Sequence, residues 1–312
     1  MLYCPYQSCI CHNPAHQPHN TTYPIPAIIE TLSLYNRGYT LDESARRAGK
    51  RHRLSIRRQT AGSWKERYAK HFPYLKIRDA IASTYAPHSL IMESRLHHGQ
   101  VYDFAYHRGK MQHILAGSAK ARAFHPLKTF LESAPTETPH DLFRQQKARA
   151  SQTKERFSLN EVAITECKNS AVDMAQFVIP TVSRNTMRHP KLQDFMLTND
   201  LATVAVEVPV YLTHEDTEHF TKKLGFALPF TLERGATITG HIDLLQIRGG
   251  MIHILDYKPK AKKEKPIEQL MVYALALSRR TGLRLYHFKC AWFDDEHYYE
   301  FYPLHVVHKR KR

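Results

Sequence analysis

The sequence predicts a mixed α/β (α+β) chain, with a core in the order α-β-β-β-α-β behind a mainly helical N-terminal domain of helix-turn-helix outline. Two features carry this. Apolar residues recur at helical spacing from Tyr23 to Ser83, whereas Val- and Thr-rich strand patterns take over from Leu201 onward. Between two of the strand-like runs stands Gly249-Gly250, a hairpin signal because primed turns need positive φ at both loop residues. The chain has 312 residues, enough for about two domains. Its 42% hydrophobic and 24% charged residues are globular values and exclude wholesale disorder.

A formal charge of +16 costs self-repulsion and points to a polyanionic partner, nucleic acid first. A membrane surface fits less well, since no basic amphipathic helix with a bulky apolar face stands out and no apolar run approaches the roughly 20 residues of a membrane span. The opening residues lack the basic start and apolar run of a signal peptide, so a cytoplasmic, nucleoid-associated location is expected.

Residues 1–22 form a Cys/His-rich segment. Three of the five cysteines crowd there, which favours a metal site in a reducing compartment over a disulfide framework. Cys4, Cys9, Cys11 and His12, with His16 and His19 nearby, are candidate zinc ligands, because a segment too short for a core can be folded by Zn²⁺. The alternative is an arm with incidental histidines, in a chain that has 21 of them.

Residues 23–83 read as three helices. Ile28, Ile29, Leu32 and Tyr35 mark the first, which stops at Arg37-Gly38. Thr40 and Glu43 form a capping-box pattern that opens the second through Ala45 and Ala48. The third runs from Ile56 to Tyr68 around Trp64. This order is that of a helix-turn-helix DNA-binding domain. The stretches Tyr23-Pro24, Leu32 to Leu41 and Thr60 to Trp64 resemble the N-terminal DNA-binding region of insertion-sequence transposases. The resemblance implies that Arg57, Arg58, Gln59, Thr60, Ser63 and Lys65 face DNA. An ordinary three-helix bundle with a solvated basic face is the rival reading.

Residues 84–150 are expected to be a helical connecting region. The mainly helical pattern continues to Asn199 with breaks at Pro87, Pro126, Pro135, Pro139 and Pro180. Ser133 to Pro139 reads as a turn or short linker. Arg144 to Arg156 is strongly basic and suits either a phosphate backbone or plain solvation.

The remaining elements are a strand from Leu201 to Leu212 carrying Glu207, strands from Ala236 to Ile247 and Met251 to Tyr257, a helix from Ile267 to Ser278, a strand from Leu283 to Phe293, and an edge strand from Tyr298 to Tyr302. Residues 306–312 read as a disordered basic tail. If Gly249 and Gly250 are the hairpin loop, Arg248 faces Met251, Ile247 faces Ile252 and Asp243 faces Asp256, with Lys258 on the same face opposite His241. Directly opposed residues have Cβ atoms about 4.5–5.5 Å apart. Two carboxylates that close repel unless a divalent cation sits between them, and an adjacent lysine adds positive charge for an attacking water or a developing phosphorane oxygen.

Gly240-His241-Ile242-Asp243, Leu255-Asp256-Tyr257-Lys258 and Gln269 to Tyr273 together resemble the GxxD, DYK and QxxxY motifs of the PD-(D/E)XK nuclease superfamily, RecB-like branch. The resemblance implies a restriction-endonuclease-like core over residues 151–305. It also implies Mg²⁺ or Mn²⁺ on Asp243, Asp256 and the main-chain carbonyl of Tyr257, with Lys258 orienting or activating water. Gln269 and Tyr273, four apart on one helix face, would point at the site, and Glu207 is a candidate further carboxylate. An iron–sulfur cluster is not implied, since only Cys290 stands in the C-terminal part.

The function expected is that of a metal-dependent DNA endonuclease of mobile-element or genome-processing type, acting on double-stranded DNA. A double-strand cut calls for two sites, which a homodimer would provide, and proteins of a mobile element are candidate partners. The rivals are a non-catalytic DNA-binding protein and a RecB-like exonuclease.

Overall fold

A computed structural model describes residues 23–308, apart from 118–120, 145–147, 153–155 and 159–162. The N-terminal zinc candidates Cys4, Cys9, Cys11 and His12 therefore lie outside the described residues, as do the last four residues of the basic tail.

Three helices open the described chain: α1 (Ile25–Asn36), α2 (Leu41–His52) and α3 (Arg58–Arg67). The Thr40 side chain caps α2 by accepting from the Glu43 N–H at 3.2 Å. Glu43 does not complete a capping box; its carboxylate pairs with Arg46 and Arg47 one turn on. After the short α4 (Arg78–Ala82), β1 (Ile91–His98) and β2 (Gln100–His107) form a hairpin turned at Gly99, where φ is +77°. This hairpin corrects the expectation of a helical connecting region. Its outer strand carries polar residues such as Glu93, Ser94, Arg95 and His97 where a core strand would show apolar ones, so period-2 alternation is faint.

Next come α5 (Arg108–Gly117), α6 (His125–Glu137), α7 (His140–Arg144), the two-residue β3 (Thr165–Glu166), α8 (Ser170–Val178) and α9 (Asn185–Asn199). Most of Ser133 to Pro139, expected as a linker, belongs to α6. Pro135 lies in its final turn, where few further helical residues depend on the bond it forfeits. The C-terminal half comprises β4 (Thr203–Thr213), α10 (His214–Glu218), β5 (Thr237–Arg248), β6 (Met251–Tyr257), α11 (Ile267–Thr281), β7 (Phe288–Phe293), β8 (Tyr298–Phe301) and α12 (Pro303–Val307). Its strands and α11 fall where expected, except that β7 starts at Phe288, after a 3-10 turn at Leu285–His287, and α10 was not foreseen. α12 corrects the view of residues 306–312 as wholly tail, since Val306 and Val307 are buried.

Among the described residues, eight strands form one sheet in the order β1-β2-β4-β5-β6-β7-β8-β3, antiparallel except between β6 and β7. β8 is thus not the edge; the short β3 pairs with it. Side-chain alternation sends Leu245 and Ile254 into an apolar core with α6 and α11, and Leu244 and Leu255 into a second core with α1, α3, α8 and α9. Asp243 and Asp256 share strand parity with Leu245 and Ile254, which places them on the sheet face that α11 covers.

Candidate active site

The β5–β6 register pairs Arg248 with Met251 and continues to Leu244 with Leu255, so the next rung sets Asp243 against Asp256. The Tyr257 N–H donates to Asp243 Oδ2 at 3.3 Å, bringing the main chain of Tyr257 beside both carboxyls. On the other side of β5, the β4 ladder pairs Val206 with Leu244 and Val208 with Ile242, skipping Glu207 and Asp243 between them. Glu207 has φ +50°, left-handed backbone that a non-glycine strand residue rarely adopts. Three acids, Glu207, Asp243 and Asp256, therefore occupy one row across three adjacent strands.

Lys258 follows β6, its N–H donating to the Phe293 carbonyl, and its Nζ lies 2.9 Å from Asp256 Oδ2. Gln269 and Tyr273 come from α11, with Gln269 Nε2 donating to the Tyr273 hydroxyl at 2.9 Å. Gly240 lets that helix approach: a Cβ there would collide with Tyr273 Cε1 and stand 3.2 Å from Ala150 Cβ. All six side chains expected at the site thus converge.

The structure adds two residues that sequence reasoning missed. His189 Nε2 lies 3.1 Å from Asp243 Oδ2, and donor atoms of His189, Glu207 and Asp243 are within 4.8 Å of one another. Gln193, one turn further along α9, donates to Glu207 Oε1 at 2.7 Å and to the Asp243 carbonyl at 3.2 Å. The available signal was their i,i+4 spacing on the helix before the Glu207 strand.

The cleft, of about 230 Å³, is walled by His98, Tyr102, Phe143, Arg149, His241 and Tyr273. Tyr102 stacks on His241 with ring centres 3.5 Å apart. His241, His98 and His140 form a chain of imidazoles at 2.8 and 2.7 Å that ends on the Pro135 carbonyl. Burial holds His98 down at about 4 and His241 well below the usual histidine value, so these two rings line the cleft as neutral groups.

Charge is strongly perturbed at the acid row. Burial pushes Asp256 well above the usual carboxyl range, and the adjacent Asp243 adds to this more than Lys258 can offset. Burial would also raise Asp243, but His189, a hydrogen bond with Asp256, and Lys258 outweigh it and hold Asp243 at about 2. Burial and Asp243 lift Glu207 to about 7. Burial works against the His189 cation, yet Asp243 and Glu207 raise it to about 9. Burial likewise opposes the Lys258 cation, and Asp256 more than compensates. Without a metal, the row takes its positive charge from protons. A divalent cation supplies the same charge in one place, and hard carboxylate oxygens with one imidazole suit Mg²⁺ or Mn²⁺.

The expected DNA-facing residues at and along α3 divide. Arg57, Arg58, Gln59 and Ser63 are exposed and Thr60 is half-buried. Lys65 turns back onto α1, with Nζ 3.2 Å from the Tyr35 hydroxyl and 4.6 Å from its ring centre. An ammonium with a long apolar stem gains by lying on a ring, so Lys65 faces outward less than expected.

Compared with known families, residues 127–297 match the model of the PD-(D/E)XK nuclease superfamily. No curated protein and no solved structure matches the chain.

Proposed function

The chain belongs to the PD-(D/E)XK nuclease superfamily, and on that premise we propose that it is a Mg²⁺- or Mn²⁺-dependent DNA endonuclease of the RecB-like branch. The observation that carries this reading is the row Glu207–Asp243–Asp256 with Lys258 Nζ 2.9 Å from Asp256. Asp243, Asp256, Glu207 and His189, with the Tyr257 carbonyl, would hold the cation, which supplies Lewis-acid stabilisation of charge on the phosphate oxygens. Lys258, with Nζ beside the carboxylate row, orients or activates the attacking water and stabilises developing negative charge. Water attacks phosphorus in line, the P–O3′ bond breaks, and 5′-phosphate and 3′-hydroxyl ends result. Gln269 and Tyr273 brace the cleft wall through their mutual hydrogen bond.

Targeting is assigned to the N-terminal end of α3, where exposed Arg57, just before the helix, and Arg58, Gln59 and Ser63 suit a phosphate backbone and base edges. The helix-turn-helix outline and its transposase resemblance support a role in a mobile element or in genome processing, with double-stranded DNA as substrate and a homodimer for double-strand cuts. The test is incubation of the purified chain with covalently closed plasmid, linear duplex, single-stranded DNA and RNA, with Mg²⁺, Mn²⁺ or EDTA. Metal-dependent nicking of closed plasmid is expected. Digestion only after linearisation would make the chain an exonuclease, and DNA binding without cleavage under any metal would make it a binding protein.

A further inference from the structure

Most partly buried arginines in this protein have acceptors. Arg37 spans Glu93 and Asp194 at 2.8 and 2.6 Å. Arg78 donates to the carbonyls of Tyr35 and Tyr39, Arg248 to the Ser170 hydroxyl, and Arg279 and Arg280 share Asp216. Arg149 differs. It is half-buried in the wall of the catalytic cleft beside Glu207 and Asp243, yet among the described residues its side chain has no hydrogen bond or ion pair. Its guanidinium nitrogens stay accessible to solvent, so the group is open to an arriving ligand.

The segment that carries Arg149 is tied to the sheet. The Ala148 carbonyl accepts from the Thr239 N–H at 3.1 Å, and Arg149 bridges to Thr239 alongside β5. Ala150 is buried 3.2 Å from where a side chain at Gly240 would begin. The neighbouring acids are already served, Asp243 by His189 and Glu207 by Gln193. A guanidinium without a partner among the described residues, on a segment bridged to β5 beside the acid row, is placed for an anion that arrives with the substrate, and its planar fork matches phosphate oxygens.

We propose that Arg149 is a substrate-binding residue that grips the non-bridging oxygens of a phosphate next to the one cut, fixing the strand over the carboxylate row. This rests on the nuclease reading above. The test compares wild type, Arg149→Gln and Arg149→Lys on an oligonucleotide, intact or carrying one neutral methylphosphonate at successive linkages beside the cut. Binding is measured in EDTA, and kcat and KM are measured with Mg²⁺.

Arg149→Gln should weaken binding about tenfold, raise KM with kcat nearly unchanged, and reduce the salt-dependence slope by about one. Arg149→Lys should restore the slope. One methylphosphonate position should cost the wild type the same factor and cost Arg149→Gln nothing further. If the wild type cuts but Arg149→Gln matches it in KM and salt slope, or if every methylphosphonate penalty adds fully to that of the variant, the Arg149 assignment is refuted alone. If the wild type neither binds nor cuts, the nuclease reading falls and takes this assignment with it.

Discussion

Replacing Asp256 by asparagine separates its charge from its shape. The position is 1% exposed, so an isosteric side chain leaves the packing intact. In the metal-free protein Asp256 already holds its proton well above the usual carboxyl range, because of burial and the neighbouring Asp243. The Asp256→Asn side chain would imitate that neutral form, and Lys258 would meet an amide oxygen in place of a carboxylate. Unfolding temperature in EDTA should therefore match the wild type to within about 2 °C, equivalent to less than about 1 kcal/mol.

Added metal should separate the two proteins. A cation at a hundred times its Kd stabilises by about 2.7 kcal/mol, or about 5–10 °C in a domain of this size. The variant should lose most of that shift. Cleavage should fall by about 10³-fold or more, since charge stabilisation by the cation is worth several kcal/mol. Scanning calorimetry in EDTA, Mg²⁺ and Mn²⁺, paired with plasmid nicking, reads both effects. A variant that keeps the metal-induced shift or cuts at the wild-type rate would show that Asp256 is not a ligand. A large loss of stability in EDTA would show that its charge is structural.

Three further outcomes concern other parts of the molecule. Gly240→Ala drives a methyl into the Tyr273 ring, so it should cost about 1–3 kcal/mol in thermal unfolding and lower cleavage, whereas Gly117→Ala, with open space around it, should do neither. Lys110 is fully buried, donates to the Leu197 and Thr203 carbonyls, and is depressed by burial from 10.5 to about 7. Between those values the unfolded chain binds the extra proton, so this group makes stability rise with pH, on the order of 1.36 kcal/mol per pH unit; chemical denaturation of Lys110→Met across that window should show the rise removed. Arg57→Gln and Arg58→Gln should each lower the slope of DNA affinity against salt by about one, and an unchanged slope would take α3 off the DNA. Point changes serve better than truncation here, because Ile28, Leu32 and Trp64 share a core with α8 and α9 that truncation would expose.

The legible parts of this fold are those where one residue type dictates geometry. Gly249 and Gly250, both at positive φ, fix a two-residue loop, and period-2 counting from that loop reaches the Asp243–Asp256 rung without further information. The same reasoning could not carry Glu207 to its place. β4 and β5 are joined through α10 and a long connection instead of a tight turn, so the sequence offers no turn from which to count, and Glu207 itself takes a left-handed backbone that period-2 counting does not foresee. The β1–β2 hairpin was hidden because its outer strand alternates weakly and its polar residues imitate a solvated helix. His189 and Gln193 were hidden for a different reason: two polar residues one turn apart mark almost every amphipathic helix, and only the tertiary fold turns this pair onto the acids.

These blind spots share a physical origin. Local sequence encodes what a residue does to its own backbone, whereas the protonation of the acid row depends on groups drawn from α9, β4, β5, β6 and the segment after it. Asp243 is held at about 2 by His189 from α9, while Asp256, on the opposite strand, is driven upward by Asp243. Two aspartates of identical chemistry are thus pushed in opposite directions by surroundings that the fold assembles. The reason to expect a divalent cation is the geometry that assembly produces, with Glu207, Asp243 and Asp256 in one row and His189 beside them.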